Sequence, residues 1–139
     1  MIQAHYYVHC FDGYDPTDTY RLFRTVHLID APKKQSEEFS KYLFSALHTD
    51  FPDYDPSLTD DILEKIGKIE NGEIKSYEYE GAGFTHFITQ DQVRLEHTIF
   101  DECPEWPVWY CTFAQYKTAL QGYRQFLKMP KSIESELTI

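Results

Sequence analysis

Residues 1–11 alternate, with Ile2, Ala4, Tyr6, Val8 and Cys10 on one face and Gln3, His5, Tyr7, His9 and Phe11 on the other. A period of two over that length predicts a half-buried strand. Gly13 and Pro16 break the pattern in FDGYDPTD, residues 11–18, which reads as a turn. Residues 20–29 read as a second strand with poorer alternation, a pattern that also fits partial helix. After Pro32 the period lengthens: Phe39, Tyr42, Leu43, Ala46 and Leu47 predict a helix over 35–49, stopped before Pro52. Leu58, Ile62, Ile66 and Ile69 form the apolar stripe of a second helix. Ser57 and Asp60 resemble a capping box at its start, and Asn71-Gly72 suits its end.

The centre of the chain returns to the shorter period. Residues 74–80, 84–89 and 92–100 are predicted strands, joined at Gly81-Ala82-Gly83 and by a two-residue turn at Gln90-Asp91. That turn places Phe84, His86, Ile88, Val93, Leu95, His97 and Ile99 on one face. Thr85, Phe87, Arg94, Glu96 and Thr98 fall on the other. Thr112, with Gln115 three residues on, then opens a third helix striped by Phe113, Tyr116, Leu120, Tyr123 and Leu127 and ended by Pro130. The tail, 133–139, alternates weakly, as an edge strand would. The order ββααβββαβ predicts an α+β fold. Its expected form is a mainly antiparallel sheet, one face covered by about three helices and the other largely solvent-facing, in a single domain over residues 1–139.

Composition sharpens this picture. The 139 residues are 42% hydrophobic and 17% aromatic, enough apolar surface for a core. No apolar run approaches the ~20 residues of a membrane span, and MIQAHYYVHCFDG does not read as a secretion signal. Cys10, Cys103 and Cys111 have neither an even count nor CxxC spacing, so they read as small buried hydrophobes in a reducing cytoplasm. Thirteen Lys and Arg against 23 Asp and Glu leave a net charge of −10. That sign disfavours phosphate-mediated binding of nucleic acid and anionic membrane surfaces, and it favours basic partners.

The charge is also localised. Asp50, Asp53, Asp55, Asp60, Asp61 and Glu64 fall within 15 residues without a base. Glu96, Asp101, Glu102 and Glu105 do the same between Leu95 and Tyr116. The rest of the chain is neutral. Solubility alone does not require such clustering.

Several patterns carry candidate chemistry. Asp53, Asp55, Ser57, Thr59, Asp61 and Glu64 match the ligand positions of a calcium-binding EF-hand loop. Leu58, however, stands where that loop needs Gly, and Pro56 and a helix start at Ser57 contradict its geometry. His86 and His97 share a face, but two ligands are too few for a structural metal site, and they are expected in the core with backbone partners. His5 and His9 lie roughly 13 Å apart along one strand. No G-x-S-x-G, H-E-x-x-H or Gly-rich phosphate loop occurs, so no catalytic residue, metal or cofactor is assigned. Lys117, Arg124, Lys128 and Lys131 read as a solvated stripe of the third helix. Residues 101–109 combine acids with Trp106 and Trp109, the residue types that protein interfaces select. Trp109 is expected to roof the sheet, while Trp106 is equally compatible with core and anchor.

Residues 80–139, with an acidic ECPEWP segment after a hairpin, then W-x-C and a helix of the pattern x-x-Y-K-x-A-L-x-G-x-x-x-F-L, resemble the C-terminal half of small immunity proteins. These belong to bacterial polymorphic-toxin and contact-dependent growth inhibition systems. The resemblance implies a cytoplasmic, non-enzymatic protein that binds and neutralises one cognate toxin domain, commonly a nuclease with a basic surface. Charge and aromatic content nominate the contact residues: Asp53, Asp55, Asp60 and Asp61 in one patch, and Asp101, Glu102, Glu105 and Trp106 in the other. Competing readings are a small-ligand or metal-dependent enzyme and a housekeeping interaction adaptor.

Overall fold

A computed structural model describes residues 2–10, 15, 17, 22–52, 55–99 and 103–139. The strands divide between two antiparallel sheets. In the first, β1 (Ala4–Cys10) lies between β2 (Leu22–Leu28) and β7 (Glu136–Thr138). In the second, β3 (Ser76–Glu80), β4 (Phe84–Thr89), β5 (Val93–His97) and β6 (Trp109–Cys111) follow in chain order. The helices are α1 (Lys33–Phe39), a π-helical segment (Ser40–Phe44) and α2 (Ser45–Asp50), continuous as one rod, then α3 (Ser57–Glu70) and α4 (Phe113–Leu127). The fold is α+β, as the order of periods predicts, with the helices between the sheets. Each sheet buries one face and leaves the other open.

The middle position of α4 follows from its contacts. The Tyr6 hydroxyl of β1 donates to the Ala119 carbonyl over 2.8 Å, and the Tyr6 ring lies 5.8 Å from that of Phe126. On the same helix, Tyr116 reaches His86 of β4. A helix covered from both sides needs a broad apolar surface, and Phe113, Tyr116, Ala119, Leu120, Gly122, Tyr123 and Phe126 are all buried. Gly122 permits the closest approach, since a Cβ there would stand 2.5 Å from the Tyr6 hydroxyl oxygen. The Thr112–Gln115 capping box forms as expected, with both bonds at 3.0 Å.

The π-helical segment has a similar origin. Tyr42 faces the second sheet, its ring 6.1 Å from Phe84, while Phe44 is buried beside Phe39. Widening one turn lets Tyr42, Leu43 and Phe44, consecutive in sequence, all leave solvent. The Ser45 hydroxyl bonds back to the Ser40 carbonyl at 2.8 Å.

Residues 22–28 are wholly strand. Their weak alternation traces to Arg24, which occupies an inward position at 7% exposure. Its guanidinium donates to the carbonyls of Phe126 (3.0 Å) and Met129 (2.9 Å), satisfying groups at the C-terminal end of α4 where the helix dipole favours a cation. The two-residue turn at Gln90-Asp91 sets the expected register, with Ile88 opposite Val93, His86 opposite Leu95 and Phe84 opposite His97. The tail forms β7, pairing Tyr6 with Leu137. The turn at residues 11–18 lies largely outside the described residues; within it, the Asp15 carboxylate accepts from the Thr17 amide at 2.9 Å. No helix among the described residues is long and apolar enough to cross a membrane.

Candidate functional site

Ionisable side chains gather most tightly in the core. Asp50, the last residue of α2, meets His86 Nε2 with Oδ2 at 2.6 Å, and the other ring nitrogen of His86 lies 2.8 Å from the Tyr116 hydroxyl. Oδ1 of Asp50 accepts from the Gly83 amide at 2.7 Å and from the Thr49 hydroxyl at 3.1 Å. Phe51, Tyr79 and Tyr116 surround the His86 ring at 5.4–5.8 Å. Burial, first of all, holds the Tyr116 hydroxyl well above its ordinary pKa. An acid, an imidazole and a phenol in line can relay a proton. Here His86 is 0% exposed and Asp50 2%, so the relay has no opening to a substrate and acts as an organiser of the core.

His86 is thus a core residue, as expected, but its partners are side chains. The acid comes from a helix end rather than from its own sheet, which is why strand register could not reveal it. In sequence Asp50 counts only toward the acidic stretch, and Gly81 and Gly83 read only as a strand connection; their shared role in the core does not show there. A Cβ on Gly81 would stand 2.3 Å from Asp50 Cγ, and one on Gly83 2.5 Å from Thr49 Oγ1. The G-A-G turn therefore serves as the seat of a carboxylate, and its paired glycines were the available signal.

The first acidic stretch is largely committed inside the chain. Asp50 is buried. Asp53 lies outside the described residues. Asp55 Oδ1 accepts from the Ser57 amide (3.2 Å) and hydroxyl (2.5 Å), holding the turn before α3. The expected Ser57–Asp60 capping box does not form: Pro56 is the N-cap, without a side-chain bond. Asp60 instead takes Arg124 of α4 in a two-pronged pair, at 2.5 and 3.2 Å. That hydrogen bond, more than any other influence, pulls the Asp60 carboxyl below its usual pKa. The pair therefore persists at neutral pH and fades only as pH falls through that lowered value. Being half exposed, it contributes at most ~1 kcal/mol. Glu64 bonds to Lys68 one turn on, while Asp61 is exposed and makes no ion pair among the described residues. The basic stripe of α4 is correspondingly no plain solvated face, because Lys117 also meets Glu70 of α3 at 2.7 Å.

The EF-hand-like spacing is overturned by α3 itself, since positions from Ser57 onward are helical. Among the described residues, no three His, Cys, Asp or Glu gather closely enough to hold a metal ion. Millimolar calcium is expected to leave the melting temperature unchanged, which thermal unfolding followed by circular dichroism checks.

The second stretch builds an aromatic ledge. Cys103 and Trp106 exchange backbone bonds at 3.3 and 3.0 Å, with Pro104 and Glu105 at the corner. Trp106 packs 4.4 Å from the His97 ring, 5.8 Å from Tyr42 and 6.0 Å from Phe84, while Lys41 Nζ sits 4.6 Å over its face. Lys41 also donates to the Glu105 carbonyl, and Tyr42 to that of Pro107 at 2.7 Å. Trp106 is half-buried, joined to the core below and edged by solvent. Trp109 stacks on Tyr42 at 5.5 Å and donates its indole N–H to Glu38, roofing the core as expected. Ile99, 71% exposed, lies beside this ledge, whereas Asp101 and Glu102 fall outside the described residues.

Both stretches start from one point: the Gly83 amide donates to Asp50 and its carbonyl accepts from Thr98 at 2.9 Å. They then diverge, one to Arg124 on α4 and the other to Lys41 on the π-helical segment. A groove of about 320 Å³ lined by Ile2, Thr112, Ala114, Gln115 and Thr118 has no ionisable side chain among the described residues. Burial pushes the Cys111 thiol up to about 12. In the folded protein at about pH 8 it should resist a thiol-specific reagent that labels all three cysteines once the chain is unfolded. Rapid native labelling of Cys111 would contradict its burial.

No protein-family model matches the chain, and no curated protein or solved structure matches it either.

Proposed function

We propose that the protein is an immunity-type inhibitor, which neutralises a toxin domain by stoichiometric binding to a basic surface of that domain. One observation carries the reading. After internal pairs are subtracted, the acids that make no ion pair among the described residues include Asp61, Glu78, Glu80, Glu96 and Glu105. Charge with no structural employment at this density suits a basic partner, since it accelerates encounter and repels acidic competitors. A nuclease domain, which presents cations to phosphates, has the required sign. The resemblance over residues 80–139 points the same way, and a cytoplasmic location follows from it.

The test uses the C-terminal domain encoded by the gene immediately upstream, purified and titrated calorimetrically with this protein. The expected result is a one-to-one complex whose affinity falls by at least about tenfold between about 50 and 300 mM salt. No complex at low salt would reject the immunity reading, and a complex indifferent to salt would reject its electrostatic mechanism.

A further inference from the structure

The second sheet turns one face to the helices and leaves the other open, and a single row of side chains crosses that open face. Glu78 pairs with Phe87, Phe87 with Arg94 and Arg94 with Tyr110, each directly opposite the next on four successive strands. The neighbouring row runs Glu80, Thr85, Glu96. The Arg94 guanidinium carbon sits over the Phe87 ring, 3.9 Å from its centroid, and Tyr110 is 49% exposed. Among the described residues the buried Arg94 Nε has no hydrogen-bond partner, and no ion pair joins Arg94 to Glu78 or Glu96.

This arrangement has the anatomy of an interface centre. Arginine and tyrosine are the residues in which binding energy concentrates, and a guanidinium held on a ring loses little further freedom on binding. Three glutamates around one arginine leave the face net negative. Resting on the reading of the protein as an inhibitor, we infer that the open face of the second sheet is where it docks a basic protein domain. That partner supplies cations to Glu78, Glu80 and Glu96 and an acceptor to Arg94.

Sign decides between occupants. A symmetric contact with a second copy would bring six glutamates together against two arginines, a net repulsion that costs affinity. Phosphate-bearing partners meet the same repulsion. Size adds a constraint. Four strands by five residues cover roughly 15 by 17 Å, about a third of the ~800 Å² that a partner usually contributes. The contact must therefore run past the sheet, and Tyr110 leads directly back to Trp106 and Glu105.

The experiment measures association and dissociation rates with the purified upstream-encoded C-terminal domain. The variants are E78K/E80K/E96K, Arg94→Ala, Arg94→Lys and Tyr110→Ala, each first shown to melt as the parent does. Charge reversal is expected to slow association about tenfold at low salt, with a smaller effect at high salt. Arg94→Ala and Tyr110→Ala are expected to speed dissociation about tenfold or more, with Arg94→Lys between them and the parent. If the parent binds but these variants bind within about twofold of it, the immunity reading stands and the surface assignment falls. If the parent itself does not bind, both fall. Self-association in sedimentation that Tyr110→Ala abolishes would give the face to a second copy and overturn the proposal.

Discussion

Replacing Asp50 with Ala is expected to destabilise the protein by about 3–5 kcal/mol, because it removes the shared acceptor of a sealed polar cluster. His86 Nε2, fully buried, and the part-buried Gly83 amide would each lose their partner. A domain of this size holds only about 5–15 kcal/mol in total, so the variant should unfold at markedly lower denaturant concentration. Asp50→Asn keeps an acceptor for Gly83 and the side-chain volume, and should lose about 1–3 kcal/mol. Urea unfolding of the two variants beside the parent checks the order. A loss below about 1 kcal/mol for Asp50→Ala would mean the cluster contributes little beyond packing.

Gly81→Ala is the second large effect, expected near 2–3 kcal/mol. The added Cβ would lie 2.3 Å from Asp50 Cγ and 2.6 Å from Oδ1. A flexible surface side chain would swing away from such a clash. Asp50 cannot, because His86 and Gly83 fix its carboxylate from two directions. The mechanism predicts coupling: in an Asp50→Ala background, where Cγ and Oδ1 are gone, the Gly81→Ala penalty should shrink without vanishing, because the Cβ at position 50 would still lie 2.7 Å from the added one. A double-mutant cycle measures this, and strict additivity of the two losses would refute the steric account.

What the sequence reveals here depends on the distance over which each feature is decided. The β4–β5 register is legible because one two-residue turn sets every pair from Ile88–Val93 to Phe84–His97. The start of α4 is legible because Thr112 and Gln115 cap it within one turn. The division into two sheets is not, since β1 finds β7 only after more than 120 residues of intervening chain. Arg24 shows how a tertiary role hides a local one: it spoils the alternation of β2 because its partners are helix-end carbonyls about a hundred residues on.

The candidate site divides in the same way. Counting charge locates acidic stretches but cannot say which carboxylates the fold consumes. Asp50 is drawn into the core, and Asp60 is spent on Arg124. Trp106 was balanced between core and anchor in sequence, and it stands half in each role, with Lys41 over the face that an anchor would offer. Glu78 and Glu80, outside both acidic stretches, drew no notice until pairing set them beside Arg94 and Tyr110 on one surface.

The pairing of β1 with β7 also constrains how the protein comes into being. Ala4 and Ile139 exchange both main-chain bonds, at 2.9 and 3.0 Å, and the ring of Tyr6 is roofed by residues of α4. On a ribosome, β2 can pair with one edge of the first strand early, whereas the partner of its other edge and the α4 residues that roof Tyr6 emerge only about a hundred or more residues later. Closing so long a loop is slow relative to forming hairpins. The β4–β5 hairpin can form while the remainder is still being translated, but the first sheet can close only after Ile139 has cleared the exit tunnel. Until then, β1 presents an unpaired edge to whatever the cell offers, so a chaperone matters more for this sheet than for its neighbour.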